Sequence, residues 1–198
     1  MKYTTYLLFG APGSGKGTQG RSIGSIPRFF HCACGDVFRT LDTRTKVGRA
    51  FLEFSSKGQL VPDEVTVQLW QARIDAAVDA HEFKPDIDVL VLDGIPRNVA
   101  QAKIMDEVID VQKVFHLSCP DRAQLFARLK KRALKDNRLD DANEEVIQRR
   151  LQTYENESKP VLDYYRDRVQ TIDATQPPVT VLYNILSTLS NGNHHAAV

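Results

Sequence analysis

The segment Tyr3 to Phe9 ends in the wholly apolar Tyr6-Leu7-Leu8-Phe9 and stops abruptly at Gly10-Ala11-Pro12-Gly13. Residues 89–92 (Val-Leu-Val-Leu) have the same form, and 114–117 (Val-Phe-His-Leu) are apolar but for His116. A short apolar run bounded by turn residues, without in-out alternation, is the pattern of a strand covered on both faces, as in a parallel sheet. Each such run precedes a stretch of helical period, and residues 29–32 and 169–172 add two weaker strands. Helices are predicted from Lys16, from Gly35, over 45–57, over 63–80, from Arg97, from Asp121, over 143–168 and over 177–189. Val179, Leu182, Ile185, Leu186 and Leu189 show the spacing of one buried helix face. The predicted class is α/β: a doubly wound parallel sheet of about five strands with helices on both faces.

No fixed-period repeat and no Pro/Gly/Ser linker interrupts the chain, so residues 1–190 are predicted to form one domain. Residues 191–198 are polar and aperiodic, the pattern of a flexible tail rather than of a His194-His195 metal site. Of 198 residues, 26 are Lys or Arg and 25 are Asp or Glu. That balance provides no overall field toward nucleic acid or anionic lipid, so any phosphate binding must come from locally placed cations. The three cysteines, Cys32, Cys34 and Cys119, make a poor disulfide framework and favour a reducing compartment. No apolar run approaches the roughly 18 residues of a membrane span, and a cytoplasmic protein without membrane or nucleic-acid partners is expected.

The strongest chemical signal is Gly10-Ala11-Pro12-Gly13-Ser14-Gly15-Lys16-Gly17-Thr18, placed between the first predicted strand and the first helix. Glycines let backbone N–H groups converge on an anion, a helix N-terminus adds partial positive charge, and Lys16 can follow the β- and γ-phosphates of a triphosphate. Gly17 occupies the place where a Ser or Thr usually offers magnesium a hydroxyl, with Thr18 next, so the ion would be held mainly through water.

A phosphate loop alone does not choose between a kinase, a GTPase and a motor. At the end of the 89–92 strand stands Asp93-Gly94-Ile95-Pro96-Arg97, where Asp93 can orient hydrated magnesium and Arg97 can reach a second phosphate. No Asn-Lys pair occurs, so the guanine motif of a GTPase is missing. With these two motifs, Cys34-Gly35-Asp36-Val37-Phe38-Arg39, Gly58-Gln59-Leu60-Val61-Pro62-Asp63-Glu64 and Arg138-Leu139-Asp140-Asp141 follow in order, and the chain over about 3–189 resembles the adenylate kinase family in its short-lid form. The resemblance implies the phosphate-loop nucleoside monophosphate kinase fold, a monophosphate-binding insert at about 33–62, a short lid at about 134–142 and a monomer.

Carried over by position, the resemblance implies a donor ATP site formed by Gly10, Ala11, Pro12, Gly13, Ser14, Gly15, Lys16, Gly17, Thr18, Arg128 and Arg132. It implies an acceptor AMP site formed by Cys34, Gly35, Arg39, Leu60, Val61, Gly94, Arg97, Gln101, Arg138 and Arg150. Lys16, Arg97, Arg132, Arg138 and Arg150 are the implied catalytic cations, and Asp93 the acid of a magnesium shell. Cys34 stands where the family usually has Thr, Ile95 replaces a more usual Phe, and Ala142 resembles a one-residue lid insertion. The family's cis peptide would fall between Ile95 and Pro96. Gln101 can donate to and accept from an adenine edge, whereas UMP/CMP kinases commonly have Asn there, which favours AMP.

Phosphoryl transfer chiefly needs alignment and charge stabilisation, which arginine forks provide. A monophosphate acceptor is already anionic near pH 7, so no general base is required, and the five histidines lie outside the matched positions. The activity implied is magnesium-dependent, reversible conversion of ATP and AMP into two ADP, serving adenine nucleotide homeostasis. The alternatives are a UMP/CMP kinase of the same fold and a nucleotide-binding module without turnover.

Overall fold

The computed structural model describes residues 2–136, 141 and 143–190. The chain begins with strand β1 (Tyr3–Phe9), helix α1 (Lys16–Gly24), β2 (Phe29–Ala33), α2 (Cys34–Arg39), α3 (Lys46–Ser56) and α4 (Asp63–Asp79). It continues with β3 (Val89–Asp93), α5 (Val99–Met105), β4 (Ile109–Ser118), α6 (Arg122–Asp136), α7 (Glu144–Thr153), α8 (Pro160–Tyr164), β5 (Val169–Asp173) and α9 (Pro178–Ser190). The five strands pair in parallel in the order β2-β3-β1-β4-β5. In such a sheet a ligand crevice opens beyond the carboxyl end of the central strand, where successive connections leave in opposite directions. That strand is β1, with β3 on one side and β4 on the other.

Burial explains the apolar runs. Leu7, Leu8, Leu90, Leu92, Val114 and Leu117 are each at most 2% exposed, and full burial of one such side chain contributes about 2 kcal/mol. Trp70, Ile74 and Ala77 bring α4 into the same core, while Val181, Ile185 and Leu189 bring in α9.

All five predicted strands are present, one of them longer than predicted, and two of the predicted helices differ in extent. The 114–117 run is the end of a ten-residue strand whose first half alternates buried Ile109 and Val111 with exposed Asp110 and Gln112. A bulge there shifts the pairing from Thr5 opposite Val111 to Tyr6 opposite Lys113. The helix predicted over 143–168 is broken. Pro160 has no N–H and its ring excludes the ordinary helical carbonyl partner. Residues Tyr154–Ser158 accordingly widen into a π turn, with Lys159 N–H donating to Tyr154 O at 2.8 Å, before α8 restarts at Pro160. The helix predicted from Arg97 starts at Val99, because the Asn98 side chain caps it by accepting from the Gln101 N–H. The Ile95–Pro96 peptide is cis. Among the described residues no helix is long and apolar enough to cross a membrane.

Candidate active site

The loop after β1 turns on a bond from Ser14 N–H to Ala11 O at 3.1 Å, and α1 begins behind Gly15 with no side-chain cap. Its first N–H groups are therefore left for an external acceptor, at the positive end of the helix. Gly13 has φ +85°, and a Cβ there would lie 2.9 Å from Leu125 O, so the loop closes against α6 only with glycine.

Lys16 Nζ donates to Gly10 O at 2.8 Å and to Ala11 O at 3.1 Å, at the floor of a cleft of about 650 Å³. Burial lowers its pKa to about 8; Asp93 opposes the shift, while Arg132, Arg97 and Arg150 add to it. Three arginines and one carboxylate thus lie within electrostatic reach of one ammonium, which is the charge cluster that the sequence motifs predict.

The other side chains reach the cleft from separate elements. Arg39, on the last turn of α2, pairs with Asp36 at 3.1 Å, and its guanidinium lies over Gly35, where a Cβ would stand 3.0 Å from Nη1. Arg97 Nε donates to Gly94 O at 2.9 Å. On α6, Arg128 donates to Ala174 O at 2.8 Å, which fixes its guanidinium beside the β5–α9 connection. Arg132 Nε donates to Asp141 at 2.7 Å, and Arg150 Nη1 donates to the other oxygen of the same carboxylate. Arg132 Nη2 also lies 2.6 Å from Asp141 Oδ2, off the hydrogen-bond direction, so the Nε contact is the hydrogen bond proper. Asp141 is fully buried; a carboxylate there is sustained by its two guanidinium partners.

Of the positions named from sequence, Gly10, Pro12, Gly13, Ser14, Gly15, Lys16, Gly17, Thr18, Gly35, Arg39, Leu60, Asp93, Gly94, Arg97, Arg128, Arg132 and Arg150 line the cleft. Ala11, Cys34, Val61 and Gln101 are buried. Burial raises the Cys34 thiol to about 11 and the Cys32 thiol to about 12, which keeps both neutral. The Gln101 amide, expected from sequence to meet an adenine edge, is instead engaged by protein at both ends, Oε1 accepting from Arg97 N–H at 2.7 Å and Nε2 donating to Asp63 at 2.7 Å. Arg138 and Ala142, and with them most of the lid motif, lie outside the described residues, as does the 191–198 tail.

The cleft also includes residues that sequence reasoning did not single out: Lys131 and Lys135 of α6, Tyr154 and Ser158 of the π turn, and Gln176, Pro178 and Val181. The signal for the two lysines was available, since 128, 131, 132 and 135 follow the i, i+3, i+4, i+7 spacing of one helix face. Asp93 suits a hydrated magnesium ion. It is an oxygen donor at the end of β3, and Gly17 leaves space beside it, because a Cβ on residue 17 would stand 3.3 Å from Asp93 Oδ2. Among the described residues no three His, Cys, Asp or Glu side chains group as a metal cage. One carboxylate, with water and phosphate oxygens completing the shell, is the usual arrangement for this ion.

Comparison with known proteins bears on this geometry. Residues 8–170 match the family model described as adenylate kinase. The chain is 36% identical over 188 residues to an adenylate kinase of Cyanothece sp., covering 90% of this chain and 91% of the relative. It is 35% identical over 213 residues to an adenylate kinase of Fusobacterium nucleatum subsp. nucleatum, covering 92% and 97%. A third, from Mycolicibacterium paratuberculosis, is 36% identical over 174 residues, covering 85% and 89%. A phosphate loop at the carboxyl end of β1, guanidinium groups gathered from α2, α5's leading turn, α6 and α7, and these matches agree: the chain belongs to the adenylate kinase family.

Proposed function

We propose that the protein catalyses the reversible, magnesium-dependent transfer of a phosphoryl group from ATP to AMP, giving two ADP. The observation that supports this reading is the convergence on one cleft of the glycine-rich loop and of arginines from four separate segments of the chain, enough for two sets of phosphate-binding groups. The loop of residues 10–18 with Arg128 and Arg132 forms the donor side, Arg39 and Arg97 form the acceptor side, and Lys16 lies within the field of Arg97, Arg132 and Arg150. A protein that only bound or hydrolysed one nucleotide would have no use for the second set. The similarity to adenylate kinases supports adenine nucleotides as the pair.

In this reading the loop N–H groups and Lys16 hold the donor phosphates, and Arg97 and Arg39 hold the acceptor phosphate in line with them. Arg132 and Arg150, fixed in advance by Asp141, offset charge that develops on the transferring group, with no reorganisation needed at the moment of reaction. Asp93 would hold magnesium through water, and the bound ion would supply charge neutralisation on the donor phosphates. Arg138 is read as a further phosphate ligand on the strength of the family motif. The segment at about 33–62 is read as the acceptor insert and 134–142 as the lid, whose closure would exclude water as a competing acceptor.

The test offers purified protein MgATP with AMP, CMP or UMP in turn and follows diphosphate formation. AMP is expected to be the preferred acceptor. A pyrimidine preference would assign a UMP/CMP kinase, and absence of turnover with ATP still bound would assign a regulatory module.

A further inference from the structure

Asp63 is the first residue of α4, at the point where the acceptor insert ends. Its Oδ1 accepts two hydrogen bonds across the structure, from Asn98 Nδ2 at 2.9 Å and from Gln101 Nε2 at 2.7 Å. Gln101 is fully buried, and its Oε1 accepts from the Arg97 N–H at 2.7 Å. Asn98 Oδ1 accepts in turn from the Gln101 N–H at 2.8 Å, closing the network around the turn that carries Arg97.

A glutamine amide has nearly the same shape when flipped, so packing alone does not choose its orientation. The chemistry here does. A carboxylate can only accept, which directs the NH₂ end to Asp63, and a backbone N–H can only donate, which directs the oxygen to Arg97. The flipped amide would bury a donor against a donor and an acceptor against an acceptor, with both groups unsatisfied.

We infer that Asp63 is a positioning residue of the acceptor site, acting through Gln101 and Asn98 to hold the Arg97 turn in register with the end of the insert that carries Arg39. The inference rests on Arg39 and Arg97 being the acceptor arginines of the proposed reaction. Because both donors meet the same oxygen, position 63 needs an acceptor atom at Oδ1 and not a charge. Asp63→Asn, with its carbonyl oxygen at that place, is therefore the conservative rescue, and the similarly shaped Asp63→Leu is the loss.

The experiment measures KM for AMP and for ATP separately in wild type, Asp63→Asn, Asp63→Leu, Gln101→Met and the Asp63→Leu/Gln101→Met double variant. Hydrogen exchange of the Gln101 side-chain amide is followed by NMR wherever Gln101 is present. Asp63→Leu is expected to raise KM for AMP about tenfold or more, the range for leaving buried donors without their acceptor. KM for ATP should stay within about threefold, because the donor side is held by other elements. Asp63→Asn should keep both constants within about threefold and keep the Gln101 amide protected. The double variant should lose clearly less than the two single losses combined, since Asp63 acts partly through that amide and partly through Asn98. Equal KM for AMP in Asp63→Leu and wild type, a parallel rise in both constants, or additive losses in the double variant would overturn the inference. Asp63→Ser, short of reach but suited to a helix start, replaces Asp63→Leu in every comparison if the latter does not fold. A wild type that turns over no AMP would remove the underlying reading instead, which is a separate result.

Discussion

Nucleotide binding should be coupled to proton uptake by Lys16. In the free protein its pKa is lowered from the ordinary 10.5 to about 8, chiefly by burial, with Arg132, Arg97 and Arg150 adding to the effect. That interval corresponds to about 3 kcal/mol against the charged form, at 1.36 kcal/mol per pKa unit. Between about pH 8 and 10.5 the unfolded chain keeps a proton on this lysine that the folded chain has lost, so its contribution to stability rises with pH across that window. Below about 8 the penalty is constant. Bound phosphate oxygens reverse the balance by placing several negative charges beside Nζ. With the pKa returned to its ordinary range, binding takes up about 0.5 proton at pH 8, about 0.9 at pH 9 and almost none at pH 6. Titration calorimetry of ATP with magnesium, in pairs of buffers that differ in ionisation enthalpy, reads the uptake directly. Lys16→Met should abolish the buffer dependence while leaving the protein folded, with turnover cut severely. Buffer-independent binding in the wild type at pH 8, or equal uptake in Lys16→Met, would refute the assignment of Lys16 to the phosphates.

Leu92→Ala, which empties a fully buried position in the middle of the sheet, should cost about 3 kcal/mol in urea denaturation and lower the melting temperature by about 6–12 °C. Asp141→Ala leaves Arg132 and Arg150 without their shared carboxylate. It should lower stability by about 2 kcal/mol, and a larger loss in kcat than in either KM is expected in steady-state kinetics. His31 has its pKa lowered by burial, with Asp93 and Asp36 opposing, so the folded chain resists a proton that the unfolded chain accepts near 6.5. Stability should therefore fall as pH drops below about 6.5, and His31→Gln should flatten that slope in melting curves taken from pH 7 to 5.

The legible part of the fold was the part covered on both faces. The apolar stretches at 6–9, 89–92 and 114–117 can be satisfied only between two layers, and they form the interior of the sheet. The first half of β4 escaped because Ile109-Asp110-Val111-Gln112 alternates, as a strand with one wet face does, and because the bulge at Gln112 breaks that alternation one residue later. The interruption of the 143–168 helix was written in Pro160. Its π geometry was not, since how the chain absorbs a missing N–H depends on what packs around it, and here Tyr154 and Ser158 are buried against the cleft wall.

For the site, the sequence reported what each residue can bind but not what holds it before a substrate arrives. A balance of 26 cationic and 25 acidic side chains says nothing of the cleft, where nine cationic side chains stand against Asp36, Asp93 and Asp136. So many like charges in one cleft repel one another, and acceptors within the chain hold several of them: Gly94 O for Arg97, Ala174 O for Arg128, and buried Asp141 for Arg132 and Arg150. The Arg128 anchor lies 46 residues along the chain and the one joining Gln101 to Asp63 lies 38, separations at which no local pattern survives. In the proposed reaction phosphate oxygens would meet guanidinium groups that the chain's own acids and carbonyls already orient. Arginine forks aligned in this way before binding lose less freedom on meeting a nucleotide, so more of their attraction remains for the transferring group.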